Sequence, residues 1–178
     1  MKQLILIGLI LALVGCGDDK ITAAGVIAYA QKDDRYYLLL ADHTGLLSYR
    51  GFAAFGGGLE TGETFEQGAL REFHEETACH FLGQVQAVSK NYVRNNHYVS
   101  FVVRVPFISP EQLNQPQANS ACQGLVYSER ENWIWVEQQA LLKQLAIADD
   151  FKQGGVEISL WDKSTVVIKL AQQQGLLP

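Results

Sequence analysis

Cysteine is scarce, with three in 178 residues, so no dense disulfide framework organises this chain. A chain of this length can bury a core without one. Cys79 and Cys122 read as buried small residues, and pairing stays open should the protein be exported. The four histidines, His43, His74, His80 and His97, are scattered. No Cys or His spacing suits zinc, which argues against a zinc centre. Basic residues are outnumbered 14 to 19, for a net charge of −5, and nothing points to a nucleic-acid backbone or an anionic membrane surface as partner. No apolar run reaches the roughly 20 residues a membrane-spanning helix needs. Repeats and low-complexity tracts are missing too. What remains is an ordinary globular mixture, 48% hydrophobic and 19% charged, sized for one domain. An acidic protein that acts on phosphates needs cations to bring the two together.

The start of the chain differs from the rest. Met1-Lys2 is followed by an uncharged stretch to Gly17, and Leu4 to Val14 is almost entirely apolar. This reads as a signal peptide over residues 1–15. Leu13-Val14-Gly15-Cys16 resembles the lipobox of bacterial lipoproteins, which implies lipid modification of Cys16 and a single domain over residues 16–178. The expected location is the cell envelope, lipid-anchored on the periplasmic side, with the cytoplasm as the competing reading.

Ile21 to Ala30 and Tyr36 to Ala41 have strand character and flank a charged turn. Asp42 to Ser48 reads as a loop. Gly51 to Phe55 reads as a short strand running into Gly56-Gly57-Gly58. The pattern then turns helical: Thr64 with Gln67 fits a capping box, and Phe65, Ala69 and Phe73 form one apolar stripe. Gly83 to Ser89, Tyr98 to Phe107 and Trp133 to Val136 are further strands. Ser109 to Gly124 is expected as a surface loop. Glu137 to Leu145 and Thr165 to Gln174 are expected helices, the last with Gly175 as its stop. Strands and helices interleave without strict alternation, which favours an α/β (α+β) fold with a mixed sheet between helices. Trp133 and Trp135 read as core. Arg50, Tyr92, Arg94 and Tyr98 could line a pocket, although solvated strand positions are the stronger reading of each.

The chemistry is concentrated between Gly57 and Cys79. Glu72, Glu75 and Glu76 stand at i, i+3 and i+4, so a helix projects all three carboxylates from one face. Like charges that close repel, and hard divalent cations with oxygen ligands relieve the repulsion while also binding phosphates. The glycine run ahead of the helix permits close backbone approach, and the helix start favours phosphate. Gly57, Glu63, Arg71-Glu72 and Glu75-Glu76 stand at the spacing of the Nudix box, which this stretch resembles. With residue types used at roughly 5–7% each, six fixed matches arise by chance on the order of once in 10⁷ windows.

The resemblance implies a Nudix-type fold and a magnesium- or manganese-dependent pyrophosphohydrolase acting on a nucleoside diphosphate linked to another moiety. It implies catalytic and metal-binding roles for Glu72, Glu75 and Glu76, the Gly57 carbonyl as a further ligand, and a loop-to-helix ion pair of Glu63 with Arg71. Glu131, or Glu129, is the candidate for an additional acidic ligand. A small-molecule nucleotide derivative is the expected partner, with no nucleic acid and with membrane contact only through the lipid. The competing reading is an anchored, catalytically silent module that binds a nucleotide-like ligand. Two positions depart from the pattern. Ala78 replaces a glycine, and the helix is expected to absorb this by running one residue further. Phe55 stands where proline is usual.

Overall fold

The structure, a computed structural model, describes residues 20–43, 50–115, 122–147 and 151–178. The leading apolar segment, Cys16 and most of the loop expected up to Ser48 lie outside the described residues. Among those described, no helix is long and apolar enough to cross a membrane.

A mixed sheet occupies the centre. β1 (Ala23–Lys32), β2 (Arg35–His43), β3 (Phe55–Gly58), β4 (Ala87–Asn95), β5 (Tyr98–Arg104) and β6 (Arg130–Glu137) form it in the order β4-β5-β1-β2-β6, with β3 also on β1. β1 and β5 run parallel, and every other pairing in this sheet is antiparallel. One edge of β1 is shared: Ala23 to Val26 pair with β3, and Tyr29 to Lys32 pair with β2. A fork therefore opens between β2 and β3, crossed among the described residues by a bridge at Ala41 and Ala53. β1 is buried along most of its length, as befits a central strand covered on both faces.

Helices cover both faces. α1 (Phe65–Glu76) lies on one side, its Ala69 and Phe73 fully buried with Phe55, Phe81 and Trp135. The short α2 (Pro110–Leu113) adds Leu113 to the same layer. On the other face α3 (Gln138–Leu145) and α4 (Asp162–Gln173) pack Leu141, Val167 and Ile168 against Ile27, Leu38 and Leu40. The expected sandwich is present. Thr64 caps α1 as its spacing predicted: its hydroxyl accepts the Gln67 amide at 3.2 Å, and the Gln67 side chain accepts the Thr64 amide at 2.9 Å.

Several expectations need correction. The strand assigned to Gly83–Ser89 starts at Ala87 and runs on to Asn95, because its pairing with β5 rather than its local pattern sets its limits. The glycines expected to follow a strand are themselves β3. Ser109–Gly124 is more than a loop: Ser109 caps α2 through the Gln112 amide. A small hairpin, β7 (Phe151–Gln153) and β8 (Val156–Ile158), had no clear sequence signal, and α4 begins three residues before Thr165. Cys79 and Cys122 form a disulfide, against the reading of two separate buried thiols; the fold brings together residues 43 apart in sequence. α1 does not run past its usual end. It stops at Glu76, and Ala78 and Cys79 take positive φ of 45° and 60°, a left-handed turn that costs roughly 1–2 kcal/mol for each residue with a Cβ.

Candidate active site

Three elements meet at the site: α1, the glycine strand β3 and the start of β6. The acidic helix comes close to the glycine strand at Gly57. A Cβ placed there would lie 2.5 Å from Glu72 Oε2 and 2.6 Å from Glu72 Cδ and Oε1. The missing side chain is what lets a carboxylate sit directly against backbone, and only glycine leaves that space.

Arg71 organises the outer acids. Its Nε donates to Glu63 Oε1 at 2.8 Å, its Nη2 donates to the Gly58 carbonyl at 2.8 Å, and its Nη1 donates to Glu72 at 2.9 Å and Glu75 at 3.1 Å. Glu63 in turn accepts the Glu60 amide at 2.8 Å. The expected tie between loop and helix is therefore formed, and it holds two further carboxylates. Arg71 lowers the pKa of Glu63 below the ordinary carboxylate range, with help from the Glu60 amide. Glu72 moves the other way: burial raises it, Arg71 opposes this, and the nearby charges of Glu75 and Glu129 raise it further.

Glu76 points elsewhere. It is 4% exposed; its Oε1 accepts Arg130 Nε at 2.7 Å and its Oε2 accepts the Gly56 amide at 2.7 Å. Arg130, buried in the fork between β2 and β3, also donates to the carbonyls of Ala41 and Ala54 at 3.4 and 3.1 Å. Burial raises the Glu76 pKa against the pull of Arg130 and the Gly56 amide. The structure thus brings Glu72 and Glu75 together on Arg71 and sets Glu76 apart on Arg130. Among the described residues no three His, Cys, Asp or Glu side chains converge on one ready cation position.

Of the two acids considered beyond the box, Glu129 is the one whose charge acts on Glu72. Glu131 is exposed on β6, opposite Asp42 in the β2 register. Trp133 and Trp135 are core residues, their indoles donating to the carbonyls of Glu76 at 3.0 Å and Ile108 at 2.7 Å. Tyr98 is no solvated strand residue: its hydroxyl donates to the Phe55 carbonyl at 3.0 Å, and it lines a cleft. Arg130 carried no signal in the sequence, since its partner Glu76 is 54 residues away.

The cleft has a volume of about 550 Å³, within the usual range for small-molecule sites. Its floor is Gly56 to Gly58, Tyr98 and Arg130. One wall is the β4–β5 turn, with Asn95, Asn96 and His97, and the other is the start of α4, with Trp161, Lys163 and Ser164. The glycine strand therefore borders both the acids and the cleft.

A helix of acids, a glycine strand that gives backbone access and a cleft alongside make up the candidate site. Residues 19–153 match the NUDIX domain family model, and the chain belongs to the Nudix family. Solved structures similar to it include an Ap4A hydrolase from C. elegans, at 18% identity over 70% of this chain and 85% of that one, with a TM-score of 0.44. The Nudix hydrolase RenU from M. smegmatis is 16% identical over 86% and 85% of the two chains, with a TM-score of 0.48. A mutT/nudix family protein from Listeria innocua is 16% identical over 86% and 92%, with a TM-score of 0.49.

Proposed function

We propose that the chain is a divalent-metal-dependent hydrolase that splits the pyrophosphate linkage of a nucleoside diphosphate joined to another moiety. The observation that carries this reading is the Glu72 carboxylate seated where a Gly57 side chain would be, beside Glu75. Hard oxygen donors at a position open to backbone fit magnesium or manganese. Glu72, Glu75 and the Gly57 carbonyl would hold the metal, and Glu76 would join them by exchanging Arg130 for it. When bound, the metal neutralises phosphate charge and makes water a better nucleophile.

The chain's own contribution is placement. Arg71 anchors the loop to the helix through Glu63 and the Gly58 carbonyl, so the glycine strand and the acids keep one relative position. Glu76 fixes the same strand from below through the Gly56 amide. The proton of an attacking water would pass to a carboxylate that does not hold the metal, in the box or outside it. Glu129 is the added acid that the electrostatics favour over Glu131.

The reading also places the protein in the cell envelope, attached through Cys16. The leading segment supports it, and the Cys79–Cys122 disulfide suits an oxidising compartment. Cys16→Ala should release the protein from the membrane fraction. The decisive test of the chemistry is phosphorus NMR of nucleoside diphosphate derivatives incubated with magnesium or manganese. Turnover lost in Glu75→Gln supports the enzyme. Silence across the panel, with the fold intact and metal binding measurable, makes the protein a binding module instead.

A further inference from the structure

We propose that Trp161 and Lys163 on the wall of the cleft, with Arg50 held against the same indole ring, form an anion subsite that takes a phosphoryl group of the substrate. This rests on the pyrophosphohydrolase reading above. The family-matched residues end at 153, yet Trp161, Lys163, Ser164 and Val167 build one wall of the cleft.

Two cations gather on the one indole ring. The Arg50 guanidinium carbon lies 5.4 Å and Lys163 Nζ 5.2 Å from the Trp161 ring centroid. Each has a favourable cation–π contact, but the two positive charges also repel. Among the described residues neither forms an ion pair with a carboxylate, in a chain where acids outnumber bases 19 to 14. An anion bound at this cluster would neutralise that charge, and phosphate is the anion that Arg and Lys recognise well.

The subsite is also held in register with the acids. The Trp161 amide donates to the Phe52 carbonyl at 3.0 Å, and Ser164 Oγ accepts the Ala54 amide at 3.0 Å. The start of α4 is thus stitched to the segment that leads directly into Gly56 and Gly57. Across the cleft, Asn95 and Asn96 offer neutral amides suited to a sugar or base edge. A substrate lying along the glycine strand would have the acids beyond Gly57, the amides of one wall on one side and Lys163 of the other wall on the other.

The test uses the metal-free protein, so that it does not depend on turnover. Indole N–H signals are followed by NMR, with Trp161 identified as the signal missing in Trp161→Phe, during titration with inorganic phosphate, adenosine or ADP in the presence of chelator. Phosphate and ADP should shift the Trp161 signal while adenosine does not. ADP should bind at least tenfold more tightly than phosphate, because the amide wall adds contacts. The double variant Lys163→Gln/Arg50→Gln, altered at two exposed side chains, should weaken ADP at least tenfold, whereas Lys152→Gln, altered at an exposed cation outside the cleft lining, should leave its binding unchanged. A Trp161 signal that follows adenosine would make the ring a base platform and overturn the proposal. Equal affinities for ADP and phosphate would overturn the assignment to substrate. No response to any probe would overturn the subsite itself, while leaving the phosphorus NMR assay to judge the hydrolase reading separately.

Discussion

Two arginines serve the acids of α1, and they do so in opposite ways. Arg71 is partly exposed and spreads five donors over Glu63, Glu72, Glu75 and the Gly58 carbonyl. Arg130 is 1% exposed in its side chain and holds a single carboxylate, Glu76, together with two backbone carbonyls. These part-buried carboxylates share one guanidinium that still reaches solvent, so each can change partners with less loss than a fully buried one. A buried pair exchanges only at a cost, since removing one partner strands a charge away from water unless a cation takes its place. The difference separates a part of the box that exchanges partners freely from a part that also holds the fold. The acids look alike in sequence and are unlike in environment.

The largest effect should come from the buried pair. Arg130→Ala or Glu76→Gln should lower unfolding stability by about 3–5 kcal/mol, measured by denaturant titration. Glu76→Gln with an unchanged unfolding curve and lost manganese binding would break the contrast, since Glu76 would then be a ligand first and a brace second. Next comes Glu75→Gln, which should reduce turnover by about 10²–10³-fold with stability changed by less than about 0.5 kcal/mol. Gly57→Ala sharpens the same point. The new methyl group meets the mobile end of Glu72 rather than backbone, so the carboxylate should swing away. kcat should fall by on the order of a hundredfold while the melting temperature hardly moves.

The pH dependence follows from Glu63, whose pKa in the folded chain lies below its ordinary value of 4.5. As pH falls, the unfolded chain takes up this proton first. The stability contributed by the Glu63–Arg71 pair is therefore complete above pH 4.5 and is lost as pH drops through the lowered folded value. Glu63→Gln should flatten that part of the stability profile followed by circular dichroism. The smallest effect lies at the end of α1. Ala78→Gly should relieve the left-handed turn and stabilise by about 0.5–1 kcal/mol, the strain removed less the entropy glycine adds to the unfolded chain. Destabilisation there would mean that the Ala78 side chain contributes packing worth more than the strain.

Local chemistry was legible where the cause is local. The Thr64 and Gln67 cap, the apolar stripe of α1 and the spacing of Gly57, Glu63, Arg71 and the three acids depend on residues within a few turns of one another, so periodicity and motif sufficed. β4 was misplaced because strand limits come from pairing, here with β5. The β7–β8 hairpin is three residues on each side and carries too little pattern to stand out. The expectation for Ala78 failed because the chain must turn at Glu76 to seat Trp133 on the Glu76 carbonyl and to bring Cys79 to Cys122. That tertiary requirement outweighs the preference of alanine for continuing a helix.

What the sequence by itself determined is the set of acids and their order on one helix, because a spacing of three and four residues needs only the α-helical repeat. Which acid keeps its freedom was decided by the fold alone. Arg130 reaches Glu76 only after β6 joins β2 at the fork, and Trp161 and Lys163 face the cleft only after α4 docks on the far side of the sheet. Both placements are long-range contacts, held by burial and by hydrogen bonds that the chain forms once its strands are paired.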